Sequence, residues 1–518
     1  MGTRSTIIDS LVHASTWYPE REALVQGEQD ARRAYTYGEL EEESRQFANG
    51  LRDAGIEAGD RIVFLNRSVV EHAVAYFGAL RAGAIPATIH FRESPSTIQS
   101  MVESVSPTAL VFQPQLHETA ELVLETSSTI TESIVLDRLG EVPTFARPYS
   151  DVLDAPPQEL PTVSSSDRAF INFSSGTTGV PKPVVHTHEN IIESTHLAFF
   201  KKQIGPGDRT LKTNTPSFIA WANTTFPYVN AGATVVFLEQ SDPVAILEAI
   251  DAERITSLIL VPTIWKRILA EDLEQYDLES IRTAGYSGEP LDPGLFARIK
   301  AEVTPNICTM YGTTETMSSS MTLFPDDVDE DTLDSVGYPV PDTDVRIIEP
   351  DSRDPDRQVD RGDTGEIIVR GPSVAEEIWN DPERTRATFH EDGWLFTGDL
   401  GYVGEDRLLY LRGRHDNMII SGGINIYPEK VNEVLGSWDE IADSAVIGVP
   451  HDTWGETVTA IVVPRDESVT EEDVKSVCAE SPDLADYQQP RLVRFVDELP
   501  KTGTSKIDYA ALRERFAE

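Results

Sequence analysis

The sequence is short of positive charge, of cysteine and of long apolar runs. Its 518 residues include 43 lysines and arginines against 87 aspartates and glutamates, which gives a formal net charge of −44. A surface this acidic repels the phosphates of nucleic acids and of anionic lipids, so we exclude both as partners. No apolar run approaches the roughly 20 residues that span a bilayer, and no basic-then-apolar leader opens the chain. These absences predict a cytoplasmic protein without membrane insertion.

Cysteine is equally scarce. Cys308 and Cys478 lie far apart in the sequence, which offers neither a disulfide framework nor the spacing of a metal site. We interpret both as small buried side chains in a reducing compartment. The acidic residues are dispersed and 40% of the chain is hydrophobic, so the charge indicates an acidic folded surface and not a disordered tail. Dispersed acids with few lysines suggest a halophilic protein, whose self-repulsion is screened by concentrated salt.

The length and the alternation of apolar runs predict the fold class. A chain of 518 residues is too long for a single core, so we expect two or more domains. The first 160 or so residues alternate short β-branched runs with amphipathic helical stretches, which is the pattern of a layered α/β domain. The remainder from residue 417 alternates strands and helices as a smaller α+β unit. Predicted elements of the first part are strands at 61–65, 85–89, 109–112 and 133–136 and a helix at 69–82.

The stretch from Ala169 to Lys182 carries the strongest local signal. Residues of strand character run into a turn of hydroxyl side chains and glycines that ends on the first lysine of the chain. Glycines let successive N–H groups point inward, and hydroxyls add donors, which suits a phosphate chain. Pro181 and Pro183 flank the lysine, so the spacing is not that of the P-loop, and the chain should leave the turn extended. The predicted phosphate-binding residues are Ser174, Ser175, Gly176, Thr177, Thr178, Gly179 and Lys182.

A second segment follows the predicted strand at 306–310. It reads Tyr311-Gly312-Thr313-Thr314-Glu315, and ligands of open α/β sheets lie at the carboxyl ends of strands. The tyrosine offers a ring face on which adenine can stack, and the glutamate offers a hard oxygen ligand for Mg²⁺. As an isolated pentapeptide it would more often be an ordinary surface turn.

Two further segments each allow a ligand-binding interpretation and an interpretation as an ordinary turn. Asp399 ends the segment 393–399, and a carboxylate can accept hydrogen bonds from both hydroxyls of a vicinal diol such as that of ribose. A turn-capping aspartate is the alternative. The run from Ala284 to Pro290 is interpreted as a glycine-rich turn that allows close approach to a flat ligand, although an ordinary turn has the same composition.

In this order, the segments resemble the signatures of the adenylate-forming (AMP-binding) superfamily, which includes acyl-CoA synthetases, peptide-synthetase adenylation domains and luciferases. The resemblance spans nearly the whole chain and includes the segment 499–507, which contains Lys506. Three positions depart from the usual pattern. Pro183 replaces a glycine after the loop lysine, Ser505 replaces a glycine before the last lysine, and Ile219 stands where a histidine is common.

The resemblance implies both a fold and an activity. The fold is an α/β N-terminal domain over residues 1–414, with layered parallel-type sheets and a small β-barrel, followed by a small mobile α+β domain over 415–518 that turns about a hinge at Asp416. The activity is that of a carboxylate–CoA ligase, which forms an acyl-adenylate from ATP and then an acyl-CoA thioester. The expected substrates are ATP with Mg²⁺, coenzyme A and an apolar acid, either medium-chain fatty or aryl. No prosthetic group is expected.

The resemblance also assigns roles to individual residues. Catalysis is assigned to Lys506, Glu315 and Thr177, of which the last two are also the expected Mg²⁺ contacts. Besides the loop residues named above, ATP binding is assigned to Gly288, Glu289, Pro290, Tyr311, Gly312, Thr313, Thr314, Asp399 and Arg414. The expected linings are Ser421, Gly422 and Gly423 for the CoA channel and Phe218, Ile219, Trp221, Tyr286 and Met317 for the acyl pocket. By spacing alone, Phe218 and Trp221 belong more often to a core than to a substrate wall.

Two other functions stay open at this stage. An adenylation enzyme that loads a carrier protein shares most of these signatures. A nucleotide-binding relative that has lost catalysis is expected to lack Lys506, Glu315 or Asp399, and all three are present. The sequence leaves open the identity of the acid and whether the chain forms a homo-oligomer.

Overall fold

A computed structural model of the chain describes most of its length. The described residues are 5–28, 32–174, 181–288, 291–318, 320–324, 326–421, 424–451, 453–466, 468–481, 484–503 and 506–516. Their helices are α1 (Ile7–Trp17), α2 (Tyr37–Asp53), α3 (Val70–Arg81), α4 (Pro95–Val105), α5 (His117–Thr126), α6 (Tyr149–Leu153), α7 (His188–Lys202), α8 (Ile219–Asn230), α9 (Pro243–Glu253), α10 (Pro262–Ile268), α11 (Pro293–Glu302), α12 (Pro382–Thr388), α13 (Pro428–Gly436), α14 (Glu471–Glu480) and α15 (Tyr509–Phe516).

The strands fall between these helices for much of the chain. They are β1 (Glu22–Gln26), β2 (Arg33–Thr36), β3 (Arg61–Leu65), β4 (Ile85–Thr88), β5 (Ala109–Phe112), β6 (Glu132–Val135), β7 (Arg147–Pro148), β8 (Arg168–Ser174), β9 (Lys182–Thr187), β10 (Arg209–Lys212), β11 (Thr234–Phe237), β12 (Ser257–Leu260), β13 (Thr283–Tyr286), β14 (Ile307–Tyr311), β15 (Met321–Leu323), β16 (Ser335–Pro339), β17 (Asp344–Ile348), β18 (Gly365–Arg370), β19 (Glu377–Ile378), β20 (Leu395–Val403), β21 (Leu409–Arg414), β22 (Ile419–Ser421), β23 (Ile424–Ile426), β24 (Ile441–His451), β25 (Gly455–Pro464) and β26 (Leu492–Phe495).

The chain divides into two compact units. The first holds the described residues up to Ser174 together with 181–345 and 369–395, and the second holds 346–368 and 396–516. Residues 396–414 therefore group with the C-terminal residues by contact. The predicted boundary at 415 separates an N-terminal domain from a C-terminal domain that moves about a hinge at Asp416. It stays a prediction.

The first unit contains two sheets in which parallel pairing dominates. One has the order β16-β15-β14-β13-β12-β10-β11-β1-β2, and the other has the order β19-β9-β8-β4-β3-β5-β6-β7. In the first, β14, β13, β12, β10, β11 and β1 pair in parallel. In the second, β8, β4, β3, β5 and β6 do so. Strands buried on both faces read as continuous apolar runs, which is why the parallel-type sheets could be predicted.

The second unit contains two smaller groups of strands. One has the order β17-β18-β20-β21, and the other has the order β23-β22-β25-β24, with β26 beside β25. The predicted small β-barrel is not found among the described strands, because β17 and β21 stand at opposite ends of their group and do not pair with each other. A sheet closes into a barrel only when its edge strands pair.

Local signals explain where the elements that bear the site begin and end. The Thr187 side chain accepts a hydrogen bond from the Asn190 N–H (3.2 Å), and the Asn190 side chain accepts one from the Thr187 N–H (3.0 Å). This capping box starts α7, which ends where Gln203 adopts a left-handed conformation.

No helix of the described residues combines the length and the hydropathy that a membrane crossing requires. Both cysteines are buried and free, as predicted.

Candidate functional site

The predicted phosphate loop connects two adjacent antiparallel strands. Ser174, the last residue of β8, pairs in register with Lys182, the first residue of β9. The predicted extended exit from the turn is confirmed, since Lys182 already belongs to a strand. Both side chains are half-buried. Ser175, Gly176, Thr177, Thr178 and Gly179 lie outside the described residues.

The segment from Tyr311 to Glu315 leaves the carboxyl end of β14 and forms a short 3₁₀ turn at Thr314–Thr316. Two hydrogen bonds hold this turn. The Nε2–H of His186 donates to the Thr314 carbonyl oxygen (2.9 Å), and the Ala375 N–H donates to the Glu315 carbonyl oxygen (2.7 Å). His186 lies on β9, the strand that begins at Lys182, so the same strand carries the loop lysine and supports the turn.

His186 is a positioning residue that sequence reasoning missed. Its ring is fully buried and stacks on Phe170 with the ring centroids 5.1 Å apart. Burial lowers the pKa of His186 to about 4, so the ring is neutral at pH 7 and keeps the proton on the nitrogen that faces Thr314. A histidine in an apolar strand gives no sequence signal of this role, because the carbonyl that it contacts is 128 residues away.

The Glu315 carboxylate suits a magnesium ion that arrives with a nucleotide. It is half-buried and sits at the end of a strand of the parallel sheet. The described residues contain no group of three or more histidine, cysteine, aspartate or glutamate side chains able to hold a metal by themselves. Mg²⁺ commonly binds through one or two carboxylates, with water and substrate phosphates completing its shell, so a single glutamate fits a substrate-borne ion.

The glycine-rich run at 284–290 differs from its prediction. Thr283–Tyr286 is a buried parallel strand, and only the residues after it leave the sheet. Gly285 pairs with Ile259 and Cys308 on the two neighbouring strands. A Cβ there would lie 2.6 Å from Ile259 Cγ1, so the packing favours glycine. Gly288 has φ +89°, a conformation that favours glycine. Glu289 and Pro290 lie outside the described residues.

The predicted acyl-pocket residues differ in how deeply they are buried. Trp221 is 1% exposed in the middle of a core cluster, where its ring lies 5.1 Å from that of His72 and 5.3 Å from that of Tyr76. Phe218 is half-buried and meets the ring of His90 edge to face at 5.6 Å. The other three, Ile219, Tyr286 and Met317, are buried. The Asn172 side chain donates to the Ser217 carbonyl oxygen (3.0 Å), so β8 is tied to the segment that leads into Phe218.

In the second unit, Asp399 and Arg414 are register partners on β20 and β21. Their ion pair joins Arg414 Nε and Asp399 Oδ1 at 3.2 Å. Arg414 Nη2 also donates to the Thr397 carbonyl oxygen (3.0 Å), and the Thr397 hydroxyl accepts from the Asp399 N–H (3.0 Å). The carboxylate and the guanidinium are therefore fixed relative to each other before any ligand binds.

The predicted hinge at Asp416 is a single 3₁₀ turn, His415–Asn417. The Asp416 side chain is exposed, and its carbonyl oxygen accepts a hydrogen bond from Arg513 Nη2 (2.9 Å). Just before it, Gly413 has φ +136°, which favours glycine, and a Cβ there would lie 2.2 Å from Glu429 Oε2, so a side chain at this position would displace that carboxyl group. Burial raises the pKa of Glu429 to about 7.

The last two predicted sites also lie in the second unit. Ser421 ends β22 and is buried, while Gly422 and Gly423 lie outside the described residues. Lys506 is exposed, and its carbonyl oxygen accepts from the Thr502 N–H (2.8 Å). Lys501 pairs with Asp443 at 3.1 Å.

Profiles of known protein families match two ranges of this chain. The family profile described as AMP-binding enzyme matches residues 11–379, and the profile of the AMP-binding enzyme C-terminal domain matches residues 430–506. The chain belongs to the AMP-binding enzyme family. The two matched ranges include the predicted phosphate loop, the Tyr311–Glu315 segment and Lys506, whereas Asp399, Arg414, the predicted hinge at Asp416 and the predicted CoA-channel residues 421–423 lie between them.

Relatives and solved structures agree with this family. A feruloyl-CoA synthase from Amycolatopsis is 33% identical over 486 residues, which cover 93% of this chain and 94% of the relative, and a long-chain-fatty-acid–CoA ligase from Yersinia pestis is 29% identical over 98% and 94%. The ATP-bound structure of MatB from Rhodopseudomonas palustris matches with a TM-score of 0.85 at 26% identity, covering 99% of both chains. O-Succinylbenzoate CoA synthetase from Bacillus subtilis, solved with its acyl-adenylate intermediate, matches with a TM-score of 0.85 at 25% identity over the same share.

The described geometry of this AMP-binding enzyme brings its first-unit signatures together. The strand pair β8 and β9 carries Ser174 and Lys182, and through His186 it also holds the Tyr311–Glu315 turn. One pair of strands thus positions both the lysine predicted to bind phosphate and the turn that carries the carboxylate predicted to bind magnesium.

Proposed function

We propose that this enzyme is an ATP-dependent carboxylate–CoA ligase that forms an acyl-adenylate and then an acyl-CoA thioester. The observation that supports it most directly is the coupling of the loop strands to the Tyr311–Glu315 turn through His186, in a chain that carries the family's signatures in order. The relatives named as CoA ligases and CoA synthases support coenzyme A as the acceptor thiol.

In the first half-reaction, a carboxylate oxygen of the acid attacks the α-phosphorus of ATP. The bond to the bridging oxygen breaks, and pyrophosphate leaves with the electron pair. Such a transfer asks the protein mainly for positioning and charge neutralisation. The loop from Ser174 to Lys182 holds the β- and γ-phosphates in this proposal, Tyr311 stacks on adenine, and Asp399 accepts from the ribose hydroxyls.

Glu315, with Thr177 as the second expected contact, would hold the Mg²⁺ that comes with ATP, and the ion would supply positive charge to the phosphate oxygens. Lys506 bridges the acid's carboxylate and the α-phosphate as a compact, mobile point charge. In the second half-reaction, the thiol attacks the acyl carbon of the mixed anhydride and AMP leaves, so the enzyme needs no covalent intermediate.

Lys506 and Ser421-Gly422-Gly423 follow the predicted hinge at Asp416 in the chain. We therefore propose that one orientation of the residues after the hinge presents the lysine and that another presents the glycine-lined channel for CoA. The acid is proposed to have an apolar body, medium-chain fatty or aryl. We also propose a cytoplasmic location, where ATP and CoA are available, and a halophilic host, which the acidic composition supports.

The test is ATP–pyrophosphate exchange with a panel of carboxylic acids at about 2 M KCl, followed by CoA consumption. Exchange with at least one acid and stoichiometric loss of free thiol are expected. Exchange without CoA consumption would favour the loading of a carrier protein, and no exchange with any acid would overturn the proposal.

A matched pair of lysine variants sharpens this test. Lys506→Ala should lower exchange by at least 100-fold while thioester formation from added acyl-adenylate persists. Lys501→Ala is the control, because Lys501 lies five residues away and pairs with Asp443. Equal rates of exchange in the two variants would remove Lys506 from the adenylation step.

A further inference from the structure

An asparagine in the middle of α8 is buried against the segment that leaves the Tyr311–Glu315 turn. Asn223 is 4% exposed, and its Nδ2–H donates to the Ser318 carbonyl oxygen (3.3 Å). The two residues are 95 positions apart in the chain, so the hydrogen bond joins a distant helix to the exit of the turn. A carbonyl oxygen can only accept a hydrogen bond, which fixes the orientation of the amide.

Stability alone does not account for asparagine at this position. The Asn223 Oδ1 atom is buried and accepts no hydrogen bond from the described part of the chain. Leaving a buried polar atom unpaired is unfavourable, and asparagine is a poorer helix former than leucine. An apolar side chain of similar size would therefore suit the interior of α8 at least as well, and the hydrogen bond to Ser318 is what asparagine adds.

The segment that Asn223 contacts has a strained backbone. Met317 has φ +54° and Ser318 has φ +51°, so two consecutive residues with side chains lie in the left-handed region. This region is disfavoured by the approach of Cβ to the carbonyl oxygen, and residues stay in it where surrounding contacts impose it. The Ser318 N–H donates to the Thr313 carbonyl oxygen (2.9 Å). Ser318 is thus held at its N–H from within the turn and at its carbonyl oxygen by Asn223.

The hydrogen bond from Asn223 is the third that reaches a carbonyl oxygen of this turn from elsewhere in the first unit. His186 on β9 donates to Thr314, and the Ala375 N–H donates to Glu315. These two hold the turn at and just before Glu315, whereas Asn223 holds the residues after it. Because Glu315 lies only three residues before Ser318, a shift at Ser318 would be passed on to the backbone that carries the Glu315 carboxylate.

From these contacts we propose that Asn223 is a positioning residue for the magnesium-bound nucleotide. Its hydrogen bond to Ser318 holds the strained exit of the turn and thereby fixes the backbone from which the Glu315 carboxylate reaches the ion. The inference rests on the proposed function, in which Glu315 contacts the Mg²⁺ that comes with ATP. Asn223 then acts on the binding of ATP with Mg²⁺ and has little effect on the binding of ATP without the metal.

Binding calorimetry of the full-length protein with ATP, without acid or CoA, tests the proposal in the absence of turnover. Each variant is titrated once with excess Mg²⁺ and once with EDTA, and the ratio of the two affinities measures the magnesium contribution. Asn223→Leu removes one hydrogen bond, so it should lower the affinity for ATP with Mg²⁺ about tenfold and leave the affinity in EDTA within about twofold. Glu315→Gln should reduce the same ratio.

The same helix supplies a matched control. The Asn230 Nδ2–H, also on α8, donates to the Ser10 hydroxyl oxygen (2.6 Å). Asn230→Leu therefore removes a comparable hydrogen bond away from the turn, and it should keep the parental magnesium contribution.

A second substitution tests the strain directly. Glycine adopts a positive φ without steric cost, so Ser318→Gly in the Asn223→Leu background should recover most of the lost affinity for ATP with Mg²⁺. Asn223→Ala should behave like Asn223→Leu, and it replaces that variant if the leucine prevents folding, which urea denaturation of both proteins would show.

The proposal is overturned if the Asn223 variants lower the two ATP affinities equally, which would mean that Asn223 only maintains the fold. It is also overturned if they change neither affinity, if Asn230→Leu lowers the magnesium contribution as much, or if Ser318→Gly recovers nothing.

Failure of the proposed function is a separate outcome. A magnesium contribution that depends on Asn223, without pyrophosphate exchange for any acid, would contradict the ligase proposal and keep the role of Asn223. Exchange that requires Glu315, with a magnesium contribution that Asn223→Leu leaves intact, would keep the ligase proposal and overturn the role of Asn223.

Discussion

Asp399 and Arg414 face each other across β20 and β21, with Arg414 Nε 3.2 Å from Asp399 Oδ1. The aspartate side chain is 14% exposed, whereas the arginine side chain is 42% exposed. The carboxylate is therefore held in place by its neighbour and keeps a limited opening to solvent. This arrangement is expected of a carboxylate that accepts hydrogen bonds from the hydroxyl groups of a ligand.

Asp399→Asn should weaken ATP binding, because an amide replaces one of the two acceptor oxygens by a donor. Loss of charged hydrogen bonds costs about 1.5–3 kcal/mol, so kcat/KM for ATP in pyrophosphate exchange should fall roughly 10- to 100-fold. Asp356→Asn is the control, since Asp356 also pairs with an arginine, Arg346, at 2.6 Å but is 86% exposed. An unchanged kcat/KM in Asp399→Asn would show that the carboxylate only shapes the turn.

Asp416→Pro should slow the overall reaction by at least tenfold, because proline fixes φ and stiffens the proposed hinge. Asp416→Ala is the matched control, since it removes the same exposed carboxylate and leaves the backbone free to rotate. The two half-reactions should be measured separately, by pyrophosphate exchange and by thioester formation from added acyl-adenylate. If the proline variant keeps both rates at the parental level, the hinge lies elsewhere.

Trp221→Ala should destabilise the protein before it alters substrate choice. The indole is buried among His72, Tyr76 and Phe226, and truncating a buried tryptophan costs about 3–5 kcal/mol of unfolding free energy, measurable by urea denaturation. Phe218→Ala is the companion variant. Phe218 is half-buried, so its loss should change the ranking of acids with less than about 1.5 kcal/mol of destabilisation. If Phe218→Ala destabilises the protein and Trp221→Ala instead changes the ranking of acids, then Trp221 lines the pocket and Phe218 belongs to the core.

Glu429 should make stability depend on pH. Burial raises the pKa of Glu429 from 4.5 to about 7, so the folded state holds this proton more tightly than the unfolded chain does. The contribution is complete below about pH 4.5, declines as the pH rises to about 7, and is lost above that value.

Glu429→Gln should therefore remove roughly 1–3 kcal/mol of the change in unfolding free energy between pH 5 and pH 8. Exposed Glu440 supplies the control variant Glu440→Gln, which should retain the parental pH profile. Parallel profiles for the parent and Glu429→Gln would mean that the carboxyl group finds a compensating partner.

Salt should stabilise this protein strongly. The net charge of −44 sets carboxylates against one another, and the Debye length falls from about 10 Å at 0.1 M to about 3 Å at 1 M salt. The melting temperature should thus rise between 0.2 and 3 M KCl, whereas sucrose at matched osmolality should give a smaller rise. A melting temperature that does not respond to KCl would count against a halophilic surface.

The elements that sequence reasoning found are those whose signal is local. The buried strands at 61–65 and 109–112 are continuous apolar runs, and the turn at Tyr311 follows directly from the end of one. The missed features depend on neighbours far away in the chain. Gly285 is predicted in a turn, although its backbone pairs with Ile259 and Cys308 on the two neighbouring strands. His186 and Asn223 acquire their importance only through what surrounds them in space.

The ladder pairing of Ser174 with Lys182 has a consequence for engineering. Ser174 and Lys182 are anchored opposite each other in one sheet, so they offer two fixed ends for loop exchange. Loops of equal length from other members of the family could be grafted between these two anchors to retune nucleotide affinity, while the lysine and the strand that supports Glu315 keep their positions.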